Sequence, residues 1–182
     1  MRLKDKVAIV TGGSRGIGLA TVKAFLKEGA TVILCASSQA SAEKAVAGIK
    51  AETPNAPVSG IWPNLADLAD VRKRFDEVIS QFGHVDILVN NAGVGAGEPA
   101  ESQSDETWQK VIDTNLNGVY YVAREVGKVM VAQKYGKVIN IGSIHSSVAM
   151  MGSPITAYCA SKGGVAMLTK ALANEWAQHN IT

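Results

Sequence analysis

Cysteine is scarce in this 182-residue chain, occurring only as Cys35 and Cys159. Two thiols so placed exclude a disulfide framework, suit a reducing compartment and lack the neighbours of a metal site. Both are read as small packing residues. An excess of one charge sign is also missing, since 18 Lys+Arg face 16 Asp+Glu for a net charge of +2. With no basic stripe to track a phosphate backbone, nucleic acid is not an expected partner. No apolar run reaches the length of a membrane span, and Met1 to Asp5 lead into the first apolar segment without a signal-peptide core. A cytoplasmic protein without a membrane partner is expected. Aromatic residues make up only 5% of the chain. What is present, 47% hydrophobic and 19% charged residues, describes a globule of one domain with enough chain to bury a core.

Short β-rich apolar runs alternate with helical patterns. Strands are predicted at Val7 to Val10, Thr31 to Leu34, Val58 to Trp62, Val85 to Val89 and Lys137 to Ile141. Helices are predicted near Ile17 to Glu28, Ser41 to Ala51, Asp67 to Phe82, Ser104 to Lys134 and Thr156 to Gln178. Gly29, Pro54, Pro57 and Gly83 punctuate the boundaries. The alternation implies right-handed crossovers and an α/β fold, a doubly wound parallel sheet of the Rossmann type with helices on both faces. Ligands of such sheets bind beyond the carboxyl ends of the strands, where strand order reverses. Polar or glycine-bearing segments follow four strands: TGGSRGIG at 11 to 18, Pro63-Asn64-Leu65, Asn90-Asn91-Ala92-Gly93 and Gly142-Ser143.

The first of these joins an apolar strand to an amphipathic helix. Gly12, Gly16 and Gly18 remove side chains where the backbone must turn, approach a pyrophosphate and pack helix on strand. The helix then offers unpaired N–H groups and the positive end of its dipole to an anion. A dinucleotide site is the favoured reading over a plain strand-to-helix turn.

TGGSRGIG, NNAG at 90 to 93, Asn115 in NLNG, and Ser143 followed by Tyr158-Cys159-Ala160-Ser161-Lys162 occur in this order, and the chain resembles the short-chain dehydrogenase/reductase family along essentially its whole length. The likeness reaches to its 3-oxoacyl reductase and sugar or polyol dehydrogenase branches. It implies a cofactor site of Gly12, Ser14, Arg15, Gly16, Ile17 and Gly18, of Asn64 and Leu65, and of Asn91, Ala92 and Gly93. It also implies catalysis by Asn115, Ser143, Tyr158 and Lys162, with no metal. The residues support that chemistry. Tyr158 and Lys162, four apart on a helix, share one face, and an ammonium beside a phenol stabilises the phenolate. Ser143 can donate a hydrogen bond to a carbonyl oxygen as charge develops, with Ser146 and Ser147 as competitors for that role. By resemblance, Tyr158 is the general acid in reduction and base in oxidation, Lys162 also holds the nicotinamide ribose, and Asn115, with Asn117 as its rival, supports a water chain. His145 in the Ile144 to Thr156 loop is a candidate substrate contact, whereas His84 and His179 read as surface residues.

An acidic residue after the second strand would bind the adenosine ribose and repel a 2′-phosphate. That segment is Cys35-Ala36-Ser37-Ser38, with no carboxylate. Arg15 in the glycine loop, with Ser37 and Ser38, favours NADPH over NADH. The chain stops at Thr182, where the last helix would turn into another strand, and relatives continue through a substrate lid. The expectation is therefore a single domain, 1–182, incomplete at its carboxyl end, with an open sheet edge and uncovered apolar faces that invite a homo-dimer or tetramer. The expected function is NADP-dependent hydride transfer between nicotinamide and a small-molecule carbonyl or secondary alcohol. The alternative is a nucleotide-binding fragment without turnover; a sugar-nucleotide epimerase is disfavoured by NNAG and the glycine spacing.

Overall fold

Alternate side chains of the first strand face two different cores. In β1 (Val7–Thr11), Val7 and Ile9 join one apolar cluster while Ala8 and Val10 join another, as a period of two requires. The computed structural model describes residues 1–182. The chain continues through α1 (Gly16–Lys27), β2 (Thr31–Cys35), α2 (Gln39–Glu52), β3 (Val58–Ile61), α3 (Leu68–Phe82), β4 (Ile87–Asn90), α4 (Asp105–Ile112), α5 (Gly118–Gln133), β5 (Lys137–Asn140) and α6 (Thr156–Trp176). All strand pairs are parallel, in the order β3-β2-β1-β4-β5. α1 and α2 cover one face through Val22, Ala42, Ala45 and Ile49. α3, α5 and α6 cover the other through Phe75, Val78, Val122, Val126, Met130 and Leu172. Glu125 of α5 is buried yet paired with Arg72 of α3 and with Arg124 and Lys128, so an ion cluster ties α3 to α5. No helix is long and apolar enough to cross a membrane.

The order of the strands places the site. The chain winds outward from β1 through β2 to β3, then returns to β4 on the opposite side of β1. The reversal opens a crevice beyond the carboxyl ends of β1 and β4. Helix starts reinforce this polarity. Ser38, Asp67 and Ser104 cap α2, α3 and α4 with side-chain oxygens, while α1 starts after Arg15 with no side-chain cap at all. Its first-turn N–H groups are left for something else to satisfy.

Most boundaries lie within a residue or two of those expected from the sequence, and three of the differences have a local reason. β3 ends at Ile61 rather than Trp62, because Pro63 next along has no N–H to extend the ladder. β4 begins at Ile87 rather than Val85, because the N–H of Val7 bonds the Asp86 carboxylate at 2.9 Å instead of a main-chain carbonyl. The expected single helix from Ser104 to Lys134 is α4 and α5 joined by a π-turn at Asp113–Asn117. At the outer edge, Ile181 bridges Gly136 in parallel, and the N–H of Val138 donates to the Thr182 carbonyl at 2.8 Å. β5 pairs with β4 along its length but on its outer side only at its start, and Ile139 is 45% exposed.

Candidate active site

The glycine turn is folded against the segment after β4. Gly12 has φ of 64°, and a Cβ there would lie 2.9 Å from both the Ala92 Cα and the Asn91 Nδ2. Gly18 is tighter still, since a Cβ would stand 2.2 Å from the Gly12 carbonyl oxygen. The Asn91 side chain donates to the carbonyls of Thr11 at 3.0 Å and Gly12 at 3.3 Å. The buried Thr11 hydroxyl accepts the N–H groups of Asn91 and Ala92, both at 3.0 Å. Thr11, which the sequence reading passed over, thus binds the two loops into one rim.

Over this rim lies a cavity of about 630 Å3. Gly12, Ser14, Arg15, Gly16, Ile17, Ser37, Asn64, Leu65, Asn91, Ala92 and Gly93 line it. Four residues expected to bind the cofactor do not: Tyr158 and Lys162, described below, and Gly18 and Ser38. Gly18 is absent from the wall because it serves the packing of α1 on the glycine turn. Ser38 is absent because its hydroxyl caps α2, accepting the Ser41 N–H at 3.3 Å. The wall adds residues the motifs had not indicated, among them Cys35, Trp62, Asp70, Arg74 and Thr114. Burial pushes the Cys35 thiol up, which keeps it an uncharged wall residue.

A dinucleotide fits these residues. The volume falls in the range of cofactor sites. The uncapped start of α1 faces an anion, as its dipole favours. The one carboxylate in the wall, Asp70, is engaged by the Asn64 N–H at 2.7 Å and by Arg74 at 3.6 Å.

The four expected catalytic residues lie outside this wall, and two of them, Asn115 and Lys162, adjoin it at Gly93. A Cβ on Gly93 would sit 3.3 Å from the Asn115 Oδ1 and 3.9 Å from the Lys162 Nζ. Asn115 is fully buried at the π-turn and grips Val94 twice, accepting its N–H and donating to its carbonyl, each at 2.8 Å. It also donates to the Ser161 hydroxyl at 3.2 Å, and Ser161 in turn donates to the Tyr158 carbonyl at 2.8 Å. Asn117 instead bonds Asp113 within the turn at 2.7 Å, away from this network. Along α6, Lys162 follows Tyr158 by one turn, and its Nζ lies 5.8 Å from the Tyr158 ring centroid and 2.7 Å from the Ile141 carbonyl oxygen, to which it donates. Burial holds Lys162 below the usual lysine range.

Ser143, just beyond β5, opens a short 3-10 turn at Ile144–Ser146 that packs on α6. Its oxygen accepts the His145 N–H at 3.1 Å, leaving the hydroxyl proton to donate elsewhere. The Ser146 hydroxyl makes the reciprocal bond, accepting the Ser143 N–H at 3.2 Å, and its proton is likewise free to donate. The His145 ring meets the Tyr158 ring edge-on, with centroids 6.1 Å apart. No group of three or more His, Cys, Asp or Glu side chains is placed to hold a metal ion.

Residues 6–182 match the family model described as short chain dehydrogenase. A 3alpha-hydroxysteroid dehydrogenase of Mediterraneibacter gnavus is 42% identical over 182 residues, covering 100% of this chain and 72% of that protein. A 3-oxoacyl acyl-carrier-protein reductase of Haemophilus influenzae is 36% identical, covering 99% and 72%. The crystal structure of a gluconate 5-dehydrogenase from Burkholderia cenocepacia in complex with NADP and tartrate superposes with a TM-score of 0.92 at 34% identity, covering 100% of this chain and 69% of that one.

Proposed function

The chain belongs to the short-chain dehydrogenase family, and on that premise we propose that it transfers hydride between NADPH and a small carbonyl or secondary alcohol, with Tyr158 as the proton-transferring group. Its named relatives are dehydrogenases and reductases, and the chain is an oxidoreductase of CH–OH or carbonyl groups with a nicotinamide dinucleotide. The observation that carries the finer reading is Gly93. It lines the dinucleotide cavity and at the same time lies beside Asn115 and Lys162, so the cavity opens toward the Tyr158 helix face.

The bound dinucleotide supplies the hydride donor or acceptor. The chain's residues do the rest. The α1 N-terminus and the glycine turn hold the pyrophosphate, while Asn64 and Leu65 meet the adenine. Arg15 and Ser37 face the adenosine ribose, and the absence of a carboxylate after β2 admits a 2′-phosphate. Lys162 places positive charge near the Tyr158 ring, and the Tyr158 hydroxyl passes its proton to a substrate oxygen. Ser143 donates its free hydroxyl proton to the same oxygen as negative charge develops. Asn115 positions Lys162 through Gly93-Val94 and Ser161. Association into a dimer or tetramer belongs to this reading, supported by the exposed Tyr120 of α5 and Met167 of α6.

Tyr158→Phe tests it, with NADPH oxidation followed against a panel of ketones and 3-oxo esters. The expected result is turnover at least ~100-fold below wild type with NADPH affinity changed by less than about twofold. Unchanged turnover would remove Tyr158 from the reaction. Wild-type binding without turnover on any ketone would leave a nucleotide-binding module instead.

A further inference from the structure

The cavity extends past Asn64 to three side chains that the family motifs do not include: Trp62, Asp70 and Arg74. They form a connected bracket. The Asp70 carboxylate accepts the Asn64 N–H on Oδ2 at 2.7 Å and faces the Arg74 Nε with Oδ1 at 3.6 Å. The Arg74 guanidinium lies 5.2 Å from the Trp62 ring centroid, and its Nε is buried without a hydrogen-bond partner of its own. Glu77, at 3.8 Å, is its other acidic neighbour. Asn64 Oδ1 accepts the Ala66 N–H at 3.2 Å, which holds the side chain by its oxygen, and its Nδ2 makes no hydrogen bond within the protein.

We propose that Asp70 and Arg74 are positioning residues for the adenine end of the dinucleotide, holding the Pro63 to Leu65 turn in the shape that receives the ring, with Trp62 as its side wall. This rests on the nicotinamide-dinucleotide reading above. A flat heterocycle with acceptor nitrogens on its edge matches an apolar wall beside one fixed amide donor. A free carboxylate here would repel a polyanion, and Arg74 cancels that charge while Asp70 fixes the turn. Because adenine is common to both nicotinamide dinucleotides, the bracket acts on affinity for each alike, and on binding rather than turnover.

The test is a set of fluorescence titrations of wild type, Asp70→Ala, Asp70→Asn and Arg74→Gln with NADPH, NADH and 5′-AMP, with melting curves on each. Asp70→Ala is expected to weaken all three ligands by a common factor of roughly tenfold. Asp70→Asn, which keeps an acceptor for the Asn64 N–H, should recover part of that loss. If Asp70→Ala does not fold, Arg74→Gln decides the matter with an expected common loss of about threefold. A folded Asp70→Ala, or failing that Arg74→Gln, with wild-type affinities would overturn the proposal while leaving the cofactor reading intact. A loss confined to NADPH would also overturn it, by making the bracket a 2′-phosphate contact. Wild-type protein that binds none of the three would overturn the cofactor reading and this inference together.

Discussion

Lys162 carries a positive charge to a place where water is scarce. Burial lowers its pKa from the ordinary 10.5, so its charge is lost earlier on the alkaline side than that of a free lysine. The sign is definite. Between the folded value and 10.5 the unfolded chain holds the proton more tightly, so stability rises as pH increases through that window. In the proposed mechanism activity moves the opposite way, because it draws on the Lys162 ammonium beside Tyr158. A pH–rate profile should therefore show an alkaline limb below 10.5, with Lys162→Met abolishing turnover at every pH. A limb unmoved in Lys162→Arg would show that another group controls it. Of these residues, Tyr158 and Lys162 were legible because four-residue spacing on a helix fixes a shared face. Asp70 and Arg74 have the same spacing and were not legible, since an acid–base pair one turn apart reads as a solvated helix surface until the fold sets it beside a cavity. Gly18 and Ser38 stand outside the cavity wall for the converse reason: the glycine packs α1 on the turn and the serine caps α2, and motif membership does not separate those duties from ligand contact.

Among the elements, the segment from Ser104 to Lys134 shows most clearly what a sequence pattern conceals. Helical periodicity runs through it, yet the backbone widens to a π-turn at Asp113–Asn117, and Asn115 is buried there against Val94 and Ser161. A π-turn often marks a functional site, because its extra residue turns a side chain off the regular helix face. Local propensity carries no sign of it; the sign is tertiary, in the paired N–H and carbonyl of Val94. Replacing Asn115 with Ala removes the side-chain partner of both part-buried Val94 groups and of the buried Ser161 hydroxyl. The expected cost is about 2–3 kcal/mol, or a Tm lower by roughly 5–10 °C, together with weakened turnover. A melting curve checks it, and an unchanged Tm would show that the π-turn stands without its asparagine. β1, α1 and the loop after β4 were far more legible. The glycine positions of the turn are dictated by backbone contacts as close as 2.2 Å for an added Cβ, a constraint that leaves a direct mark on the sequence.

At the scale of the molecule, alternating apolar runs were enough to give five parallel strands with helices on both faces, since parallel pairing demands crossovers and crossovers demand covered faces. The placement of the reversal between β1 and β4 was not written in any one segment; it follows from the order β3-β2-β1-β4-β5, in which four loops meet on one rim. That meeting gathers separate short motifs around one cavity, whose wall adjoins Lys162 at Gly93. The most direct test is fluorescence titration of the chain with NADPH and with NADH, on wild type and Arg15→Met. Wild type is expected to bind saturably with a preference for NADPH, and Arg15→Met to lose roughly tenfold for NADPH alone. Equal or tighter binding of NADH would contradict the assignment of Arg15 and Ser37 to a 2′-phosphate, and saturation by neither nucleotide would contradict the site itself.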